Sequence, residues 1–321
     1  MSYLQAFTDT EKELAKRWLA TQVASMMGRK LEEGDWSQVY CLAKGIPDGG
    51  WSNLHIDVNY QGLGLEMKLL RVSGLRGKSI KSVCGTTLMH PSATRSIRID
   101  DTSRNATDVM CDVFKQYAEL IQERTNRVKD ASTNKTPDMR TGWLIWEDNL
   151  TEFLYFEERM LPPNPEQFTA EWNFTPAKGI RKASKSLWIY DKDTKKKRYS
   201  VTTSAGIKIQ PYFDVPLPSD KNLCYFRVQS EPIDDLTVRL WISAATAHAL
   251  QVKLGSLDSS IVSTAIIDAI ARVGNIDQPP ERSDEMAVAV CISKDAHMQL
   301  ITAWEAVSDE HRAQLLLKAL S

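Results

Sequence analysis

No stretch of this 321-residue chain approaches the roughly 20 consecutive apolar positions that a membrane-spanning helix needs. The first residues, Met1-Ser2-Tyr3-Leu4-Gln5, lack the basic start and apolar middle of a secretory leader, so a cytoplasmic protein with no membrane partner is expected. Cysteine is sparse. Cys41, Cys84, Cys111, Cys224 and Cys291 are widely scattered and form no Cys-x-x-Cys pair, which argues against a structural zinc site and a disulfide framework. Buried, reduced thiols are the expectation. There is no Gly-x-Ser-x-Gly elbow, no Gly-x-x-x-x-Gly-Lys-Ser/Thr loop, no His-Glu-x-x-His helix and no complete Gly-x-Gly-x-x-Gly fingerprint. Serine-hydrolase, P-loop, zincin and dinucleotide chemistries therefore have no footing. Charge of one sign is also missing: the net charge is −1, so an anionic partner has to be met by local basic patches rather than by a global field.

What is present centres on Ile56-Asp57-Val58-Asn59-Tyr60 and Leu65-Glu66-Met67-Lys68-Leu69-Leu70, two strand-forming runs around Gln61-Gly62-Leu63-Gly64. A four-residue loop pairs Tyr60 with Leu65, Asn59 with Glu66, Val58 with Met67 and Asp57 with Lys68. Side chains alternate along a strand, so Asp57, Asn59, Glu66 and Lys68 share one face while Val58, Met67 and Leu69 take the other. Leu54, Ile56, Leu65 and Leu70 give this pair the character of central strands. A carboxylate pair near a core is costly unless something binds it, and a divalent cation does so naturally. Water-driven phosphodiester cleavage asks for such a cation, with a lysine to hold or deprotonate the water or to stabilise the transition state. The Met67 carbonyl, between the two, is a further candidate ligand.

Around the hairpin, Thr8 or Asp9 can cap a helix from about Thr10 to Arg29, and a polar break at Glu32-Glu33-Gly34-Asp35 leads to a short segment ending at Lys44. A second helix is expected over about Thr107 to Val128, then strands at Gly142–Trp146 and Glu152–Phe156. The texture changes after Pro162-Pro163-Asn164-Pro165. Beyond it the pattern predicts a hairpin of Ser186–Tyr190 and Arg198–Thr202 with a basic tip. Strands follow at about Ile207–Gln210, Leu223–Gln229 and Val238–Ile242, then helices over Ser260–Val273, Lys294–Ala306 and Asp309–Leu320. The organisation read from this is an α/β core over 1–165 and an α+β accessory lobe over 166–321 that packs onto it.

Basic residues gather in two places. Positions 71–98 hold Arg71, Arg76, Lys78, Lys81, Arg95 and Arg98 without one acid, and glycines and serines between them predict a loop. The second hairpin holds Lys185, Lys195, Lys196, Lys197 and Arg198. Both are candidate phosphate-contacting surfaces, and Trp51 beside the acidic hairpin and Trp188 in the basic one are expected to be the more exposed tryptophans. The bland reading of such runs is a solvated turn, and that of the acidic hairpin is an exposed cross-strand ion pair. His90 reads as a loop or core residue.

Asp-x(8)-Glu-x-Lys on a hairpin, with a helix before and a helix and strands after, resembles the PD-(D/E)xK nuclease superfamily, the restriction-endonuclease-like group. The residues matching its motif are Asp57, Glu66 and Lys68. The resemblance covers about residues 10–160. It implies a core of mixed central sheet flanked by helices and Mg²⁺-dependent cleavage of double-stranded DNA, with Asp57, Glu66 and the Met67 carbonyl on the metal. It further implies a glutamate from the first helical region, at Glu32 or Glu33. Asp48, in a literal Pro47-Asp48, is a weaker alternative to Asp57 because it lies in a Gly-rich turn. The size suits a prokaryotic type II restriction enzyme working as a homodimer. A repair or modified-base-dependent nuclease of the same fold, and a non-catalytic DNA-binding module whose acidic hairpin is structural, are the competing expectations.

Overall fold

The computed structural model describes residues 4–26, 30–47, 56–75, 77–89, 97–132, 136–147, 149–180, 182–203, 208–270 and 285–305. In chain order the first part comprises helices α1 (Asp9–Met26) and α2 (Glu33–Lys44), strands β1 (Val58–Tyr60), β2 (Leu63–Arg71) and β3 (Thr87–Met89), helix α3 (Ala106–Asp130), and strands β4 (Asp138–Trp146) and β5 (Glu152–Arg159). Strands β6 (Phe168–Thr175), β7 (Ser184–Asp191), β8 (Lys197–Thr202), β9 (Lys208–Asp214) and β10 (Cys224–Arg227) follow. The last part holds β11 (Glu231–Pro232), β12 (Thr237–Ile242), α4 (Ala244–Leu254), α5 (Ser259–Ile270), β13 (Val288–Ser293) and α6 (Lys294–Glu305). The class is mixed α/β. Among the described residues no helix is long and apolar enough to cross a membrane.

Three sheets organise the chain. The first runs β1-β2-β4-β5-β10, with β2 and β4 parallel and the other pairs antiparallel. Parallel neighbours require a crossover, and α3 lies within the connection between β2 and β4. The second sheet runs β3-β9-β8-β7-β6, and β11-β12-β13 form a small third one. Position 165 does not divide the sheets. β10, from beyond it, pairs with β5 in the first sheet, and β3, from before it, pairs with β9 in the second.

The hairpin closes differently from the expectation. Tyr60 pairs with Leu63, Asn59 with Gly64 and Val58 with Leu65, so Gln61-Gly62 alone make the turn. Both have positive φ, 49° and 90°, as a two-residue type I′ turn requires. The pairing has slid by two residues, and because side chains repeat every two, each residue keeps its expected face. Val58, Leu65 and Met67 are buried in the core formed with α1 and α2, and Glu66 and Lys68 turn the other way.

That core is aromatic. Phe7, Trp36, Tyr40, Tyr155 and Phe226 stack edge-on or tilted, with Trp36 and Tyr155 centroids 4.8 Å apart. Gly142 leaves the room the Tyr155 hydroxyl occupies; a Cβ there would meet that oxygen. The hydroxyl donates to the buried Glu157 Oε1 at 3.0 Å, and Arg140 donates to Glu157 Oε2 at 2.7 Å, which satisfies the carboxylate inside the sheet.

α3 starts where the Asn105 side chain accepts from the Thr107 N–H at 2.8 Å. At 25 residues it is roughly 37 Å long. Its first half, through Val109, Val113 and Phe114, buries against the inner face of the second sheet. Its second half, through Ile121 and Val128, packs on Met139 and Met160 of the first. Gly64 sits under that second half: a Cβ there would lie 2.5 Å from Met139 Sδ and 2.7 Å from Val128 Cγ2. The helix is thus held close over β2.

Several elements depart from the sequence reading. The polar break at Glu32–Asp35 is the start of α2: Asp35 Oδ2 accepts the Glu32 N–H at 2.9 Å, and the acids favour the helix N-terminus. The segment expected to be loop, 71–98, contains a 3₁₀ turn over Ile80–Val83 and the short β3. β6, β13 and α4 were not anticipated. The helix expected at Asp309–Leu320 lies outside the described residues. The Ser293 cap was expected, and its Oγ accepts from the Ala296 N–H at 3.1 Å.

Candidate active site

Beyond Val58 the β1–β2 ladder ends, and the side chain of Asp57 takes over the role of a strand: its Oδ2 accepts the Met67 N–H at 2.5 Å. Within an extended strand the N–H and C=O of one residue point the same way, so the Met67 carbonyl is directed to the Asp57 side. Glu66 and Lys68, two apart on interior strand β2, lie on one face, with Lys68 Nζ 2.9 Å from Glu66 Oε1. From the first turn of α2, Glu33 brings Oε1 to 3.7 Å from the same ammonium. From α3, Arg124 Nη2 stands 3.5 Å from Glu66 Oε1. Four segments of chain thus converge on one carboxylate–amine centre.

The electrostatics are those of acids crowded beyond their comfort. Burial pushes the Asp57 carboxyl up to about 6, and the neighbouring Glu66 charge adds to it; the Met67 N–H and Lys68 oppose only part of the rise. Lys68 moves up as well: burial disfavours its charge, but Glu66 and Glu33 outweigh that. The ammonium is held charged by the acids around it.

Among the described residues no group of three His, Cys, Asp or Glu side chains forms a ready-made cation cage. The donors nonetheless fit Mg²⁺, which is usually bound through one or two carboxylates and keeps several waters. Asp57 and Glu66 are two hard-oxygen donors repelling each other across neighbouring segments, and the Met67 carbonyl faces the same side.

Of the acids considered beside them, Glu33 is brought to the centre. Glu32 is exposed at the N-cap of α2, one residue before that helix begins, and Asp48 lies outside the described residues. Arg124 was missed. Its signal was available, a basic residue on the apolar side of an amphipathic helix, spaced three from Ile121 and four from Val128.

The basic segments fare unevenly. Arg76, Arg95, His90 and Trp51 lie outside the described residues. Arg71, Lys78 and Arg98 are exposed, and Lys81 is exposed with its Nζ 4.0 Å from the Tyr225 ring centroid. In the second hairpin most of the charges have partners within the chain. Lys196 Nζ and Arg198 Nη2 both pair with Asp214, at 3.1 and 2.5 Å. Lys185 donates to the Thr102 carbonyl and lies over the Trp172 ring. Lys197 sits 3.3 Å from the Trp188 centroid, so Trp188 is half-buried beneath it. Lys195, at positive φ on the tip, stays exposed.

No family model, curated protein or solved structure matches this chain.

Proposed function

We propose that this chain is a Mg²⁺-dependent endonuclease of the restriction-endonuclease-like kind, hydrolysing phosphodiester bonds of double-stranded DNA. The observation that carries the reading is the convergence of Asp57, Glu66, Lys68 and Glu33 on one face, with the Asp57 carboxyl pushed up to about 6 by burial and by its neighbour Glu66. An exposed ornamental ion pair would leave its acid near the usual range; here the fold holds the Asp57 carboxyl up by burial beside a second acid, where a cation's charge would relieve it. The parallel β2–β4 pair with α3 in its connection adds support, since it sets the motif strand in the sheet interior under a helix.

In this reading Asp57, Glu66 and the Met67 carbonyl would hold the metal, whose chemistry when bound would be to activate water and offset charge building on the phosphate. Lys68, kept as an ammonium by Glu66 and Glu33, donates to the attacking water and to the charge of the transition state rather than taking the proton. Glu33 anchors Lys68 from the α2 side. Exposed Lys78, Arg98 and Lys195 contact phosphates outside the centre. The protein acts in a prokaryotic cytoplasm as a type II restriction enzyme, and cutting both strands at a symmetric site calls for two copies, a homodimer.

Incubation with phage DNA in Mg²⁺ and in EDTA tests this directly. Discrete fragments in Mg²⁺ and none in EDTA are expected; specific binding without cutting in either would return the hairpin to a structural role.

A further inference from the structure

We propose that Arg124 is a phosphate-binding residue that Glu66 holds in place, so that a divalent cation and a DNA phosphate promote each other's binding by exchanging one ion pair. This rests on the nuclease reading of the same centre and adds to it a means by which cation and substrate report each other's presence.

The geometry lies in one atom, Glu66 Oε1. Lys68 Nζ approaches it at 2.9 Å, a true hydrogen-bond distance, whereas Arg124 Nη2 stands at 3.5 Å, where attraction is by charge without a lock. Lys68 has a second acid, Glu33; among the described residues Glu66 is the one acid paired with Arg124. The Arg124 side chain is 25% exposed against 14% for Glu66, so solvent, and a phosphate arriving from it, has more access to the arginine than to the glutamate. Its helix cannot drift, because Ile121 and Val128, on the same side of α3, are buried on the first sheet.

A cation on Glu66 would offset the charge that attracts Arg124 and would repel the guanidinium. The released fork then matches a phosphate oxygen pair better than any other side chain does. Reciprocally, a phosphate that draws Arg124 off leaves Glu66 with one positive neighbour fewer and a stronger hold on the cation. Linkage requires both effects to be the same factor.

The test measures binding rather than cutting. Full-length protein is titrated with Ca²⁺ and with Mn²⁺ by calorimetry, and a short duplex is titrated by fluorescence anisotropy with and without Ca²⁺. The variants are Arg124→Gln, which keeps helix propensity, and Arg124→Lys. Wild-type protein is expected to bind the duplex about 5-fold or more tightly with Ca²⁺ than without it. Arg124→Gln should lose that enhancement and, without DNA, bind either cation several-fold tighter than wild type; Arg124→Lys should fall between. The sign is decisive: an arginine that merely braces Glu66 would, on removal, loosen the cation. Unchanged or weakened cation binding in Arg124→Gln, with wild-type binding intact, overturns the proposal and spares the nuclease reading. Wild-type protein that binds neither cation overturns both.

Discussion

The two charged hairpins of this molecule look alike as text and behave oppositely as structures. In the β1–β2 hairpin, burial and then the charge of neighbouring Glu66 drive the Asp57 carboxyl up to about 6, and Lys68 offsets only part of the rise. In the β7–β8 hairpin, basic residues meet an acid that serves them. Asp214 on neighbouring β9 is raised by partial burial but pulled down to about 2 by Thr87, Arg198 and Lys196. One hairpin holds a partly buried carboxyl against a neighbouring acid, and the other pairs its more exposed charges with Asp214. A run of like charges in a sequence therefore does not by itself mark a binding surface; what decides is whether the fold supplies a counter-charge.

The comparison can be broken most forcefully at the acidic hairpin. Asp57→Ala, Glu66→Ala and Lys68→Ala are each expected to lower Mg²⁺-dependent cleavage by about 10²–10⁴-fold with the fold retained. Cleavage near the wild-type rate by any of the three would reject the assignment.

Stability should move next. The folded pKa of Asp57 lies above the unfolded value of 3.8, so its neutral form favours folding; that contribution is complete below pH 3.8 and is lost as pH rises through 6. Asp57→Asn removes the loss while still able to accept the Met67 N–H. Urea unfolding in EDTA should show it more stable than wild type by about 1–3 kcal/mol at pH 8, with the difference gone near pH 3.5. A variant less stable than wild type at pH 8 would mean the carboxylate is well satisfied as it stands.

Asp214 should give the opposite sign and a smaller size. Its folded pKa lies below the unfolded one, so its contribution is present above pH 3.8 and lost as pH falls through 2. With more than a third of the side chain exposed, solvent screens the pairs, and Asp214→Asn should cost no more than about 1 kcal/mol at pH 7. A stabilised variant would remove the contrast between the hairpins.

The finest effect concerns the tip. Lys195→Ala should weaken duplex binding on every sequence alike and reduce the salt slope by about 1, whereas Lys196→Ala should change it less because Asp214 already holds that charge. Equal slopes for the two variants would place both in the same solvated turn.

Much of this was legible in the chain itself, for reasons that differ by element. The shared face of Asp57, Glu66 and Lys68 survived a two-residue slip in pairing because strand periodicity is two. α3 was readable from its apolar stripe. α2 was not, because Glu32–Asp35 reads as a polar break until one sees Asp35 capping the Glu32 N–H. Glu33 was a candidate by neighbourhood alone, and it took the position of α2 beside β2 to select it over Glu32. Asp214 and Arg124 are the instructive omissions. Each acts on a partner far away in sequence, 16 residues from Arg198 in one case and 58 from Glu66 in the other; the apolar side of α3 could flag Arg124 as unusual, but no local pattern names either partner.

The exchange of strands across position 165 bears on how the molecule is made. β5 receives its outer neighbour β10 only after about 65 further residues have been synthesised, and β3 waits still longer for β9. Until then both sheets carry open edges, which invite pairing with other chains. A ribosome-bound nascent chain stalled near residue 200 would hold the acidic centre in an unfinished sheet. Delayed closure of this kind would leave the β5 edge beside the centre's sheet open until about 227 of the 321 residues have been made.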